Sequence, residues 1–202
     1  MNSFIVKVCG ITCEEDARVA VEAGANALGF NFYPKSPRYV TPEHAAQIIE
    51  RVPGEYLRVG VFVGRTGILA HKTKLDVLQL YGEIDSIDVP REYRIWRALA
   101  ASAAVRPDGE FEALLLDSFT PQHGGSGRPF DWTLAKDLPH RIIIAGGLDA
   151  ANVAQAVETA RPWGVDACSK LESAPGKKDP KRVGDFVRAA LAALRVSEEM
   201  TL

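Results

Sequence analysis

No apolar run in this 202-residue chain approaches the roughly 20 residues that a membrane-spanning helix needs. Neither sign of charge is in excess: 24 Lys and Arg against 26 Asp and Glu leave a net charge of -2. That balance gives no electrostatic footing for nucleic acid or for an anionic membrane. The start, Met1-Asn2-Ser3-Phe4, has no basic leader followed by an apolar core, so a secretory signal is not expected. Cysteine is sparse. Cys9, Cys13 and Cys168 are an odd set without framework spacing, which fits reduced thiols in the cytoplasm. No His or Cys pair stands ready to complete a zinc site with Cys9 and Cys13. His44, His71, His123 and His140 share no spacing typical of a metal site or triad. Neither G-x-G-x-x-G nor G-x-x-x-x-G-K-[ST] occurs, so dinucleotides and ATP lack support.

What the chain does have is a recurring short apolar run. Strands are expected at Ile5–Val8, Ala27–Phe32, Arg58–Val63, Val77–Leu80, Arg94–Ala98, Ala113–Leu116, Ile142–Ala145 and Val165–Cys168. Helix signals lie between several of them. Thr12 with Glu15 reads as a capping box before Asp16–Ala23, and Gly24 as its C-terminal stop. Thr41-Pro42 reads as N-cap and first helical residue before Glu43–Arg51. Asp149 opens Ala150–Ala160, and Asp179-Pro180 opens Lys181–Leu194. Strand–helix alternation argues for α/β with a parallel sheet. Eight repeats favour one closed (β/α)8 barrel domain over residues 1–202, near the lower size limit for that fold. An open flavodoxin-like sheet is the alternative. Gly64–Asp76 and the stretch between Leu80 and Arg94 are short, so trimmed or irregular helices are expected after strands three and four.

Cys9 and Asp117 each end an apolar run. In a parallel barrel such positions point into the active site. A thiol and a carboxylate there suggest one proton acceptor and one donor. Taken singly, Cys9 reads as a small buried hydrophobe and Asp117 as a turn former. Ile144–Asp149 and Asp166–Gly176 hold the glycines after strands seven and eight, where barrels often cradle phosphate on backbone amides. Gly146-Gly147 also fits a plain tight turn. The long glycine-dense segment Ser118–Arg128 reads as a flap or as an ordinary surface loop. Arg38, in the proline-stiffened Pro34–Tyr39, could hold an anion in two-pronged fashion or be solvated. Lys7 and Lys170 read as solvent-exposed cations.

These segments together resemble phosphoribosylanthranilate isomerase, an enzyme family of tryptophan biosynthesis. The matching stretches are Lys7–Thr12, Leu28–Tyr39, Val59–Val63, Leu78–Glu83, Leu115–Ser118, Gly124–Gly127 with Phe130–Trp132, Ala145–Leu148 and Glu172–Asp179. The resemblance implies a cofactor-free isomerase that carries out an Amadori rearrangement on a phosphorylated small molecule. It implies Cys9 as general base and Asp117 as general acid. It places Arg38 on the anthranilate carboxylate, and Gly147 and Ser169 in the phosphate cradle. A monomer or homodimer is expected. Three features depart from the family pattern. Tyr81 stands for a usual His, Cys168-Ser169-Lys170 for Ser-Ser-Gly, and the segment between strands three and four is shorter. Were these departures to abolish turnover, the barrel would be a non-catalytic phosphosugar binder.

Overall fold

The computed structural model describes residues 4–64, 73–82, 93–102, 109–118 and 129–199. Eight parallel strands follow in chain order and close on themselves. They are β1 (Ile5–Cys9), β2 (Ala27–Asn31), β3 (Leu57–Val63), β4 (Val77–Tyr81), β5 (Arg94–Ala100), β6 (Ala113–Asp117), β7 (Ile142–Ile144) and β8 (Gly164–Ala167). The seam pairs Ile5 with Gly164 and Lys7 with Asp166. That pairing removes the open-sheet alternative. Among the described residues the helices are α1 (Glu14–Glu22), α2 (Pro42–Arg51), α3 (Val153–Ala160) and α4 (Pro180–Glu199). The helices expected after strands three and four lie largely in 65–72 and 83–92, outside the described residues.

The barrel has two cores because strand side chains alternate between faces. Outward residues such as Val6, Leu28, Phe30, Leu114 and Ile144 pack beneath the helices. The helices answer with stripes at helical spacing: Val183, Phe186, Val187, Ala190 and Leu194 on α4, and Val153, Ala156, Val157 and Ala160 on α3. Inward residues, among them Ile5, Val59, Val77, Trp96, Ala113, Leu115 and Ile143, fill the lumen. At the N-terminal floor the fully buried Trp96 donates from Nε1 to Glu112 at 3.0 Å. Arg94 grips the same carboxylate with two hydrogen bonds of 2.7 Å. Trp163 stands edge-on to Trp96 at 6.0 Å, beneath the Arg141 guanidinium.

Local signals were overridden in two places. Thr12 does not cap α1. Its hydroxyl donates instead to the Gly176 carbonyl at 2.5 Å, and Cys13 takes the N-cap position without a side-chain bond. Asp149 accepts from the Ala151 amide, but a turn intervenes before α3 begins at Val153. Thr41 caps α2 as expected, accepting from the His44 amide. An unexpected hairpin, β9 (Glu172–Ala174) with β10 (Lys177–Lys178), follows the eighth strand. It folds back across the barrel mouth, tied by Thr12 and by the Lys178 amide donating to the buried Asp16 at 2.9 Å.

Closure of the barrel needs Gly164. A Cβ there would meet Ile5 Cβ at 2.6 Å and the Ile5 carbonyl oxygen at 2.8 Å. Backbone of a paired strand cannot step aside. Gly164→Ala should therefore cost about 1–3 kcal/mol through overpacking, read as a lower midpoint in urea unfolding; an unchanged midpoint would contradict this account of the seam.

Candidate active site

Polar side chains on the inward faces gather toward the C-terminal end of the barrel. Lys7 and Cys9 share the inner face of β1, Gln79 and Tyr81 that of β4, Asp117 ends β6, Asp166 lies in β8 and Cys168 follows it. The register sets these neighbours. Lys7 is opposite Asp166 and Val8 opposite Ala167, so Cys9 and Cys168 come next across the seam. Gly29 leaves the space: a Cβ there would lie 2.7 Å from Cys9 Sγ and 3.0 Å from Lys7 Nζ.

Lys7 and Asp166 form an ion pair of 2.9 Å inside the lumen. Burial alone would lower the Lys7 pKa, but the facing charge of Asp166 and Cys9 outweighs it and holds the ammonium. Burial pushes the Asp166 carboxyl up, against the pull of Lys7. Asp166 Oδ1 and Gln79 Oε1 are buried and meet no donor among the described residues.

Asp117 is 7% exposed. Burial raises its pKa, the direction a general acid needs. Hydrogen bonds that stabilise the carboxylate oppose that rise only in part. Tyr81 donates to Oδ2 at 3.1 Å, and Ser118 Oγ donates to Oδ1 at 3.4 Å. Tyr81 in turn accepts from Gln79 Nε2 at 3.3 Å. Gly146 permits the β7 turn to lie against this acid; a Cβ there would sit 2.8 Å from Asp117 Oδ1.

Cys168 packs against the lumen cluster that contains Cys9. The neighbouring Cys168 thiol, together with burial, pushes the Cys9 thiol well up, while Lys7 draws it down. Cys9 in turn draws Cys168 down to about 7, helped by Lys178 against burial. Lys178 Nζ lies 3.7 Å from Cys168 Sγ and 3.1 Å from Glu172 Oε1. Glu172 also accepts from Arg38, at 3.0 Å from Nε and 2.7 Å from Nη2.

The predicted residues thus share one end of the barrel. Cys9 ends β1 and Asp117 ends β6. Gly147 follows β7 with φ of 66°, its carbonyl held by Asn152 Nδ2 at 2.9 Å. Ser169 opens a 3-10 turn after β8. Arg38 reaches the same end but is clasped by Glu172 rather than solvated. Lys7 is buried, against its expected exposure, whereas Lys170 is exposed. Sequence reasoning missed Glu172, Lys178, Asp166 and Gln79. Their signal was a charged or amide residue lodged inside an otherwise apolar or turn-rich run. The proposed flap 118–128 lies outside the described residues apart from Ser118.

A closed parallel barrel whose C-terminal mouth holds a thiol and a carboxyl biased toward its acid form defines a barrel enzyme of acid–base chemistry. Comparison with known proteins narrows that class. The family model for N-(5′-phosphoribosyl)anthranilate isomerase matches residues 6–189. The curated isomerase of that name from Solibacter usitatus is 53% identical, over 95% of this chain and 99% of its own. The phosphoribosyl anthranilate isomerase structure from Thermus thermophilus superposes with a TM-score of 0.84 at 37% identity, covering 95% of this chain and 100% of the other. A phosphoribosyl anthranilate isomerase solved with reduced 1-(o-carboxyphenylamino)-1-deoxyribulose 5-phosphate gives 0.78 at 36% identity, over 94% and 99%. The chain belongs to the phosphoribosylanthranilate isomerase family.

Two outcomes follow from the electrostatics. Tyr81→Phe removes a donor to the Asp117 carboxylate, so carboxyl NMR titration should place the Asp117 midpoint higher than in wild type; an unmoved or lower midpoint would refute the assigned bond. In a Cys13→Ser background, ultraviolet thiolate absorbance should show one thiolate forming near about 7, below an ordinary thiol. Two thiols titrating together at ordinary values would contradict the pairing.

Proposed function

We propose that Cys9 and Asp117 are the two proton carriers of the family's reaction in this chain. That reaction isomerises N-(5′-phosphoribosyl)anthranilate to 1-(2-carboxyphenylamino)-1-deoxyribulose 5-phosphate in tryptophan biosynthesis. The observation that carries the reading is the joint placement of the two groups at strand ends in one lumen, with Tyr81 within the electrostatic reach of both.

Asp117, biased by burial toward its protonated form, gives its proton to the furanose ring oxygen. The ring opens and the anthranilate nitrogen stabilises the cation as an iminium. The iminium acidifies the proton on ribose C2, and Cys9 as thiolate removes it. The enolamine then tautomerises to the ketone. One proton has entered at the ring oxygen and one has left C2, so the isomerisation balances. The Cys9 proton returns to Asp117 through solvent.

Cys9 must first lose its own proton. Cys168 offers the acceptor, its negative form held by Lys178, and Lys7 stabilises the charge on Cys9. Arg38 spends Nε and Nη2 on Glu172, which leaves Nη1 for the anthranilate carboxylate. Gly147 and Ser169, after β7 and β8, would present backbone to the phosphate. Asp166 Oδ1 and Gln79 Oε1 suit ribose hydroxyls, because each is a buried acceptor in need of a donor.

The same reading has the chain act as one barrel domain over residues 1–202, as a monomer or homodimer, in the cytoplasm. Three unpaired cysteines support a reducing compartment. A net charge of -2 favours a small phosphorylated substrate as the partner over nucleic acid. Among the described residues, no helix is long and apolar enough to cross a membrane.

Cys9→Ala and Asp117→Asn should each lose roughly 10²-fold or more in kcat, as expected for removal of a positioned proton carrier. Both should keep the wild-type circular dichroism. The assay is loss of anthranilate fluorescence with fresh substrate, with the aminoketone product identified to set aside spontaneous hydrolysis. Near-normal turnover by a folded Cys9→Ala would overturn the base assignment.

A further inference from the structure

A buried thiol with a half-buried one beside it at a reaction centre is more than one base requires. Cys9 ends β1, and Cys168 occupies the next position across the β1–β8 seam after the Val8–Ala167 pair. Neighbouring strands run about 4.8 Å apart, inside the Cα separation of roughly 4.4–6.8 Å that a disulfide spans. The side chains converge as well as the backbones. Cys168 packs against the cluster that contains Cys9, and Cys168 Sγ lies 2.8 Å from where a Cβ on Gly10, the residue after Cys9, would stand. Gly10 and Gly29 keep the volume around both sulfurs open.

We infer that Cys9 and Cys168 form a site of reversible oxidation, closing to an intramolecular disulfide that ties β1 to β8 and withdraws the base.

The surroundings favour Cys168 as the attacking sulfur. Lys178 Nζ lies 3.7 Å from it, and Arg38 adds positive charge. Glu172, 3.8 Å away, opposes them, but its carboxylate is already shared between Arg38 and Lys178. A thiolate with these neighbours is the reactive form of cysteine. The oxidant is a small peroxide. The Cys168 thiolate attacks one peroxide oxygen of hydrogen peroxide, the O–O bond breaks, and hydroxide leaves to become water. The product is a sulfenic acid on Cys168. Cys9 sulfur then attacks the Cys168 sulfur, the S–O bond breaks, and the departing hydroxide takes the Cys9 proton. Two thiols lose two electrons, and one peroxide becomes two waters. A dithiol reductant reverses the bond by exchange.

The effect on turnover rests on the reading of Cys9 as base; the bond itself does not. The test uses the full chain as Cys13→Ser, which leaves only this pair of thiols. The reduced protein is treated with stoichiometric hydrogen peroxide and then with iodoacetamide. The expected result is loss of two hydrogens, no alkylation, and a peptide joining Cys9 to Cys168. Turnover is lost and returns with dithiothreitol. Adding Cys168→Ser should remove the cross-link and leave Cys9 carrying oxygen or alkyl groups. A wild-type pair that still alkylates at both sulfurs, or a Cys9 that gains oxygen while Cys168 stays free, overturns the proposal. A joined peptide with full turnover keeps the bond and overturns the assignment of Cys9 as base.

Discussion

The seam between β1 and β8 is the constraint on which the rest of this molecule depends. A parallel sheet has two edges until the last strand meets the first, and here the meeting is made by the shortest possible approach, Gly164 against Ile5. Once the ring is shut, the lumen cannot admit bulk water. Every polar group on an inward face must then find a protein partner or a ligand. Lys7 finds Asp166, Tyr81 finds Asp117, and Cys9 finds Cys168. Each pairing crosses between strands far apart in sequence.

The dry lumen also shifts the proton affinities of the groups it encloses. Burial raises the Asp117 carboxyl, and the meeting of two thiols at the seam moves their proton affinities apart. The cations do the opposite work at the rim. Glu172 joins Arg38 from the β2 loop to Lys178 from the hairpin, so a single carboxylate ties together the segments that follow the two neighbours of β1. Charge at the mouth is therefore arranged as a network, and removing one member leaves the others buried and mismatched.

Much of the barrel was legible because apolar runs mark buried strands without reference to anything distant. The ends of two runs, Cys9 and Asp117, were legible for the same reason: a polar residue there breaks an apolar pattern. Lys7 carried the same signal and was misread. Its alternation with Ile5 and Cys9 already placed it on the inner face, yet its partner Asp166 exists only after closure. Arg38 was left open between a two-pronged grip on an anion and solvation, because the carboxylate it grips, Glu172, lies 134 positions away. The Thr12 cap failed by the same route, its hydroxyl claimed by Gly176 on the returning hairpin. Local rules err here where long-range closure supplies a competing partner.

The strand direction divides labour between the two ends of the barrel. Polar chemistry sits at the C-terminal mouth, whereas the floor holds Trp96 and Trp163 edge to face, fixed by Glu112 and Arg141. Two indoles held at one fixed angle in an asymmetric setting should give a circular dichroism band that depends on the floor being intact. The molecule therefore carries its own optical gauge of barrel integrity at the end remote from the substrate. Loss of that band distinguishes an enzyme that has come apart from one that has merely lost a proton carrier.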